Sequence, residues 1–536
     1  MSKKIQLLDC TLRDGAYIVD AKFGTPAIKG ILKRMQDANL DIIECGWLKN
    51  SPHEEGTSFF HIPSDIEPYL PQKNNHSIYV SMIDWDRYDL KNLPPYDGKS
   101  IDAIRVVFPR NHFKEGVSLC DIIKKKGYKV YLQAANTLGY SDYELLELAD
   151  EVNKAHPVCL SVVDTFGAMY KEDLCHIVSL LNKHLDKDIK LGFHSHNNQQ
   201  LSFSLCMDFV EALQNTERGI ILDSSLCGMG RGAGNATTEL VSNYINLKHQ
   251  GSYNIDIIMD AIDVYMGYFQ ENYSWGYSIP YFIAGMYCCH VNNIAYLLNN
   301  HRTNARDMRT IIESLSPQQR GSYDYDLLEE KYIENQSRLI DDEEATQHIK
   351  KSLAGRNILL IAPGKSSVTE YGRIHSYIKG KKPVIIGVNA LVDKYVYDFC
   401  FITNSARYNY AKEAYPEQFI NTPRIVTSNI KVDADKNEWI INFNYIIKRG
   451  WEHFDNAVIC CLRLLDKLQI QSVAIAGFDG FKKKYNESYA DESLPSLNTS
   501  GNWDSLNVEI KDMFNKFKES AAHCKQIDLI TESIFD

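Results

Sequence analysis

At 536 residues, 44% hydrophobic and 24% charged, the chain is too long for one ordinary domain and has the composition of a soluble globular protein with more than one core. Its formal net charge of −11, with no clustered Lys and Arg interleaved with aromatics, argues against nucleic-acid or anionic-membrane binding. No run of about 18 apolar residues occurs, so no membrane-spanning helix is expected.

The opening MSKKIQLLDCTLRDG has two lysines but no apolar stretch, because Asp9 and Arg13 interrupt it; a signal peptide is not expected. The 13 cysteines include no CxxC and are adjacent only at Cys288-Cys289 and Cys460-Cys461. An odd, irregular set reads as reduced thiols and points to the cytoplasm.

From the N-terminus, eight β-rich runs recur: IQLLDC (5–10), DIIECGW (41–47), SIYVSMI (77–83), AIRVVF (103–108), KVYLQAA (129–135), CLSVVDT (159–165), KLGFHSH (190–196) and GIILDSSL (219–226). Amphipathic segments lie between most of them, clearest at 141–155 and 171–185, while the link around PYDGK is irregular. Eight strands alternating with helices predict an α/β fold, a (β/α)8 TIM barrel over residues 1–250. An open doubly wound sheet is the alternative. Residues 251–350 read as a helical appendage and linker, with helices at NIDIIMDAIDVYMGYFQ and YFIAGMYCCHVNNIAYLLNN and a solvated linker helix near 335–352.

A second α/β unit, 351–536, begins at NILLIAPGKSS. Further strands are expected at KPVIIGVN, YDFCFITN, RIVTSN, EWIINF and SVAIAGFDG, with the helix DNAVICCLRLLDKLQ before the last. Buried-type strands opening into Gly or Asn predict a Rossmann-like α/β domain. APGKSS mimics the end of a phosphate-binding loop, but Leu359 stands where its first glycine belongs.

His194 and His196 sit at i and i+2 of the seventh strand and so share one side of it. On a barrel they close that strand at the functional rim. The first strand ends in TLRDG, which puts Arg13 and Asp14 on the same rim, and the eighth leads into CGMGRGAGNATTE, which brings Asn235. Two imidazoles, a carboxylate and an amide oxygen suit a divalent ion: Mn²⁺ first, with Mg²⁺, Co²⁺ or Zn²⁺ as alternatives. Taken singly, the HxH reads as a structural pair and the RDG as a turn.

Three motifs in this order carry a resemblance: Asp9-Cys10-Thr11-Leu12-Arg13-Asp14-Gly15, His194-Ser195-His196-Asn197, and the glycine loop Gly228 to Asn235. Residues 5–240 resemble the metal-dependent aldolase/lyase barrel superfamily, which includes 4-hydroxy-2-oxovalerate aldolase, hydroxymethylglutaryl-CoA lyase and isopropylmalate synthase. VVDTFGAM (162–169) and IAGMYCC (283–289) are closest to the hydroxyoxovalerate aldolases. The resemblance implies metal ligation by Asp14, His194 and His196, with Asn235 as a further candidate, and a catalytic role for Arg13. It also implies carbon–carbon cleavage or formation through the enolate of an α-keto acid, pyruvate, with an aldehyde as partner.

The chain departs from the aldolase pattern at Tyr17, where those enzymes hold a histidine base. A phenol with a pKa near 10 is about 0.1% ionised at pH 7, so Tyr17 needs activation or acts as a donor. His112 and Tyr287 are further candidates for the chemistry. Glu44, Asp164 and Thr165 end strands and are candidate substrate-binding residues, with a structural ion pair as the other reading of Glu44. Cys227 lies near the reactive cysteine of hydroxymethylglutaryl-CoA lyases but out of register, and Trp275 reads as core.

The second domain resembles, in architecture, the sialyltransferase and pterin-pyrophosphokinase-like group. That implies a nucleotide or sugar ligand, a non-catalytic scaffold being the alternative; the residues themselves put Asn389, Asn404 and Asp479 at strand ends and offer the helix start at 362–367 as an anion site. The expectation is a two-domain aldolase, with a homo-oligomer allowed for. The alternatives are an acyl-CoA-dependent Claisen synthase or lyase on the same barrel, and a degenerate metal-binding scaffold.

Overall fold

The computed structural model describes residues 4–300, 303–336, 339–430, 432, 437–448, 450–451, 456–482, 487–495 and 503–536. It divides into two compact units, 1–291 with 320–322, and 292–319 with 323–536.

Among the described residues, nine strands make the sheet of unit 1: β1 (Ile5–Asp9), β2 (Ile42–Leu48), β3 (Phe59–Phe60), β4 (Ile78–Asp84), β5 (Ala103–Phe108), β6 (Lys129–Ala134), β7 (Cys159–Asp164), β8 (Lys190–Ser195) and β9 (Ile220–Ser224). All pair in parallel, and β1 pairs with both β9 and β2, closing an eight-stranded barrel with β3 outside on β2. Each expected strand is present. The βα alternation breaks twice: two 3-10 turns, Pro63–Asp65 and Glu67–Tyr69, stand between β3 and β4, and no helix links β4 to β5.

Strand alternation sorts the barrel interior into layers. Leu8, Ile42, Val80, Ala103, Tyr131, Cys159 and Ile221 form one apolar cluster. Two residues further along several of these strands, on the same side, come Glu44, Arg105, Gln133, Ser161 and Asp223, all buried. The barrel is therefore apolar in one layer and charged in the next toward the C-terminal rim. A register shift between Glu44 and Trp47 marks a bulge in β2.

The stretch expected as a helix at 254–270 is three short pieces, Ile255–Ala261, a π turn at Ile262–Met266, and Gly267–Asn272. The one expected at 281–300 is two, Ile279–Met286 and Val291–Asn300, with Cys288 left-handed in the break (φ 49°).

Unit 2 carries, among the described residues, seven parallel strands: β10 (Ile358–Ile361), β11 (Val384–Val388), β12 (Phe399–Ile402), β13 (Arg424–Thr427), β14 (Glu438–Ile441), β15 (Ser472–Ala476) and β16 (Gln526–Leu529). Their order is β14-β13-β12-β11-β10-β15-β16, so the winding reverses at β10. Ile358 and Leu360 join one core and Leu359 and Ile361 another, which shows both faces covered. The helix Glu343–Leu353, expected as a solvated linker, buries Ala345, Ile349 and Leu353 in the first of these cores. Asp455 of the helix expected from 455 lies outside the described residues; the observed helix is Ala457–Lys467.

Candidate metal centre

Each motif at the barrel rim divides into residues that build the turn and residues left over for chemistry. Asp9 builds. Its two oxygens accept from the Thr11 amide N–H (3.1 Å), the Thr11 hydroxyl (2.9 Å) and the Thr238 hydroxyl (2.7 Å), tying the end of β1 to the segment after β9. The short helix Thr11–Asp14 then presents Arg13 and Asp14, both buried.

Asp14 is the focus. One of its oxygens accepts from Arg13 Nη1 at 2.5 Å, and the other from Asn235 Nδ2 at 2.6 Å. That second oxygen also lies 3.5 Å from His194 Nε2 and 3.8 Å from His196 Nε2. Burial works against the carboxylate, but Arg13 and the two histidines hold its pKa well below the ordinary range.

Both imidazoles are aimed by partners at their other nitrogen. His194 Nδ1 faces Asp223 at 3.1 Å, and His196 Nδ1 faces the Asp164 carbonyl at 3.0 Å. Fixing Nδ1 in this way leaves Nε2 as the ligating atom. Burial alone would lower His194, yet its bonds to Asp14 and Asp223 outweigh it and raise the pKa; at His196 burial wins and lowers it to about 4.

The residues fit a divalent ion. Asn235 Oδ1 is buried with no hydrogen-bond partner among the described residues, on the amide whose Nδ2 donates to the Asp14 oxygen that both Nε2 atoms approach. An orphaned acceptor in such a place is what a cation would satisfy. Asn235 reaches it through the glycine loop: a Cβ at Gly230 would stand 2.6 Å from Asn235 Nδ2, and one at Gly234 (φ 80°) 2.0 Å from the Gly228 carbonyl. A bridge between His196 and Asn235 joins that loop to the end of β8.

Four contributors were not anticipated: Cys10, Arg105, Asp223 and Asn198. Cys10 groups with Asp14 and His194, their ligand atoms all within 4.8 Å of one another, but burial pushes its thiol well above the usual range and it donates to the Ser224 carbonyl. Arg105, 1% exposed, donates Nη1 to Glu44 at 2.8 Å and Nη2 to Asp223. Arg13 Nε donates to the same Glu44 oxygen at 2.9 Å. Glu44, Arg13, Arg105 and Asp223 thus form one buried chain running under Asp14 and His194. Asn198 pins the rim from both sides, donating to the Phe166 carbonyl and accepting from the Ala233 amide N–H, each at 2.9 Å. A lone charged residue inside otherwise apolar IIECGW, AIRVVF and GIILDSSL was the available signal for the chain of ion pairs.

The other candidates fall as follows. Tyr17 keeps 44% of its surface exposed, with its ring edge-on to Trp47 and the Arg231 guanidinium 4.0 Å from its centroid. Desolvation by the groups around it pushes its phenol up to about 12. Tyr287 closes the helix Ile279–Met286 with the Arg320 guanidinium 4.9 Å from its ring. That helix abuts the rim, because a Cβ on Gly285 would meet Gln199, Asn198 and the Gly167 carbonyl. Asp164 accepts amide N–H groups from Ala168 (2.9 Å) and Met169 (3.2 Å), and burial raises it to about 7. Thr165 accepts from the Asn136 amide N–H at 2.6 Å. His112 stacks on Trp85 beyond β5 and pairs with Glu115. Cys227 is left-handed (φ 53°), and burial pushes its thiol to about 12. Trp275 donates to its carbonyl at 3.0 Å.

Residues 109–265 match the family described as HMGL-like. Oxaloacetate decarboxylase of Mycobacterium tuberculosis is 24% identical over 265 residues, 48% of this chain and 74% of that protein. 4-Hydroxy-2-oxovalerate aldolase 2 of Salinispora arenicola is 26% identical over 267 residues, 49% of this chain and 75% of that protein. The solved hydroxymethylglutaryl-CoA lyase of Brucella melitensis superposes with a TM-score of 0.40 at 12% identity, over 51% of this chain and all of that one. The barrel of unit 1 is thus similar in sequence to HMGL-like aldolases and lyases of low identity.

Proposed function

We propose that the barrel is a divalent-metal-dependent carbon–carbon lyase, an aldolase that works through the enolate of an α-keto acid such as pyruvate, with an aldehyde as the second reactant. The reading is carried by the convergence of His194 Nε2 and His196 Nε2 on one oxygen of Asp14. Asp14, His194, His196 and Asn235 Oδ1 would hold the ion, Mn²⁺ in the first instance. When bound there, a divalent ion supplies Lewis-acid polarisation of the keto acid.

Arg13 supplies the fixed positive charge. Its Nε is taken by Glu44 and its Nη1 by Asp14, so Nη2 remains to meet developing negative charge on the substrate oxygen. Burial opposes that charge, but Asp14 and Glu44 outweigh it and raise the Arg13 pKa well above its ordinary value, keeping the guanidinium charged. Tyr17 stays protonated at neutral pH, which makes it a hydrogen-bond and proton donor toward the aldehyde oxygen rather than a base. Tyr287, at the end of the helix whose Gly285 packs on Asn198, is a second candidate phenol. Glu44, Asp164 and Thr165 act as positioning residues, since Glu44 holds two arginines, Asp164 holds His196 and its own loop, and Thr165 latches Asn136. The named relatives support an α-keto acid, because oxaloacetate and 4-hydroxy-2-oxovalerate are both 2-oxo acids.

The test is deuterium exchange into the methyl group of pyruvate, followed by NMR on protein supplied with Mn²⁺. Exchange that requires the ion and disappears in Asp14→Asn is expected. Metal binding without exchange would refute keto-acid enolisation, and no metal binding would refute the centre itself.

A further inference from the structure

Strand-end residues in unit 2 look, in the sequence, like ligand contacts, but the fold uses most of them. Asn389, left-handed at φ 54°, accepts from the Thr403 amide N–H at 2.8 Å and donates to the Thr403 hydroxyl at 3.0 Å, clasping the ends of β11 and β12. Asn404 caps the helix Ser405–Ala414 by accepting from the Arg407 amide N–H at 2.9 Å. Asp479 accepts from the Ser366 amide N–H at 2.7 Å and from its hydroxyl. The helix start at 362–367, expected as an anion site, is therefore already occupied by a carboxylate of the chain itself.

Arg407 is different. It is 7% exposed and lines the cleft at the C-terminal ends of β10 to β13 and β15, together with Gly364, Thr403, Asn456 and Asp479. Its Nη1 is buried with no hydrogen-bond partner among the described residues. The guanidinium lies 4.8 Å from the Tyr489 ring centroid. Asp491, whose pKa it helps to lower, has one oxygen already bonded to the Tyr410 hydroxyl at 2.6 Å and the Tyr415 hydroxyl at 2.7 Å. A buried cation with an idle donor is costly unless something completes it.

Two helices begin at the same cleft. Ser405–Ala414 contributes Asn404 and Arg407 to its lining, and Ala457–Lys467 contributes Asn456, Ala457 and Val458. Their capping side chains accept from the amides of Arg407 and Val458. Other first-turn N–H groups have no intrahelical acceptor, and both helix dipoles place partial positive charge there. Arg407 and the two helix starts are thus three positive features around one cleft, at the sheet edge where such folds take ligands.

We propose that unit 2 binds a phosphorylated small molecule, with the phosphate held by Arg407 and by the first turns of Ser405–Ala414 and Ala457–Lys467. A tetrahedral oxyanion matches donors arriving from three directions, and Asp479 offers acceptor capacity to hydroxyl groups on the remainder of the ligand. This site is independent of the proposed barrel chemistry.

The test uses the full-length protein stripped of metal with EDTA, so that the barrel cannot hold phosphate through an ion. Inorganic phosphate, glucose 6-phosphate and adenosine 5′-monophosphate are titrated separately by calorimetry up to about 10 mM, a range that captures even millimolar affinity. At least one should bind saturably, and Arg407→Gln should weaken it by about tenfold or more. Equal binding of all three identifies phosphate alone as the recognised group; tighter binding of the ester or of the nucleotide identifies a phosphosugar or a nucleotide. Hydrogen exchange on the wild-type protein gives a second readout that needs no variant: ligand should protect the amides of 404–408 and 457–460. No binding by any probe, unchanged binding in Arg407→Gln, or protection confined to other segments would overturn the proposal.

Discussion

Asp223 offers a substitution in which charge can be removed while hydrogen bonds are kept. Its Oδ2 is the shared acceptor of His194 Nδ1, at 3.1 Å, and of Arg105 Nη2, whereas its Oδ1 is buried without a partner among the described residues. In Asp223→Asn the amide oxygen can take the Oδ2 position and the NH₂ group the idle one, so both donors keep an acceptor. What goes is the charge, which here is held ionised: burial opposes it, but Arg105 and His194 lower the Asp223 pKa. Charge-assisted bonds are worth about 1.5–3 kcal/mol net against about 0.5–1.5 for neutral ones, so neutralising two should cost the barrel about 1–3 kcal/mol. His194, less firmly held and less basic, should bind Mn²⁺ about 10–100-fold more weakly, or about 1.4–2.7 kcal/mol. Asp223→Ala goes further, leaving Arg105, among the described residues, with only the Glu44 oxygen that Arg13 also uses, and should cost about 3–5 kcal/mol. Calorimetric Mn²⁺ titration and denaturant unfolding of the three proteins provide the comparison. An Asn variant within threefold of wild type in Mn²⁺ affinity, or an Ala variant no worse than the Asn variant, would refute the role given to this carboxylate.

Gly234→Ala tests the loop that delivers Asn235: with φ at 80° and the new Cβ 2.0 Å from the Gly228 carbonyl, the loop must shift. A loss of about 1–3 kcal/mol in barrel stability is expected, together with weaker Mn²⁺ binding, both measured as above. Tyr17→Phe removes the proposed donor to the aldehyde and leaves the metal ligands intact. It should slow aldol addition of pyruvate to an aldehyde by about 100-fold while changing pyruvate methyl exchange much less, and equal loss in both assays would assign the phenol to enolisation instead.

What could be read from the sequence depended on how far apart the cooperating residues lie along the chain. The barrel strands were visible because strands covered on both faces read as short, nearly continuous apolar runs. β16 was not, because Gln526 and Asp528 face solvent on an edge strand and break the run. His194 and His196 were visible as a pair because the two-residue strand period alone puts them on one side. Arg105 bonds partners 61 and 118 positions away, and no local spacing can announce such contacts. The break at Tyr287–His290 was hidden for a related reason, since the helix stops where Gly285 packs against Asn198 and Gly167, an event remote in sequence.

Unit 2 shows a further limit on reading function from strand ends. Asn389, Asn404 and Asp479 are polar and well placed, but each already accepts from a backbone amide of the chain, Asp479 from Ser366 113 positions away, because strand ends must satisfy nearby amides before they can serve a ligand. A ligand-facing group is therefore better sought one step deeper, among buried polar atoms that the finished turn leaves idle. Among the atoms that meet that criterion are Asn235 Oδ1 in unit 1 and, in unit 2, Arg407 Nη1, three residues inside a helix where no strand-end motif points. The two atoms call for opposite ligands, a cation at the acceptor and an anion at the donor. The Mn²⁺ titration and the phosphate titration should accordingly lose signal independently, the first in Asp14→Asn and the second in Arg407→Gln.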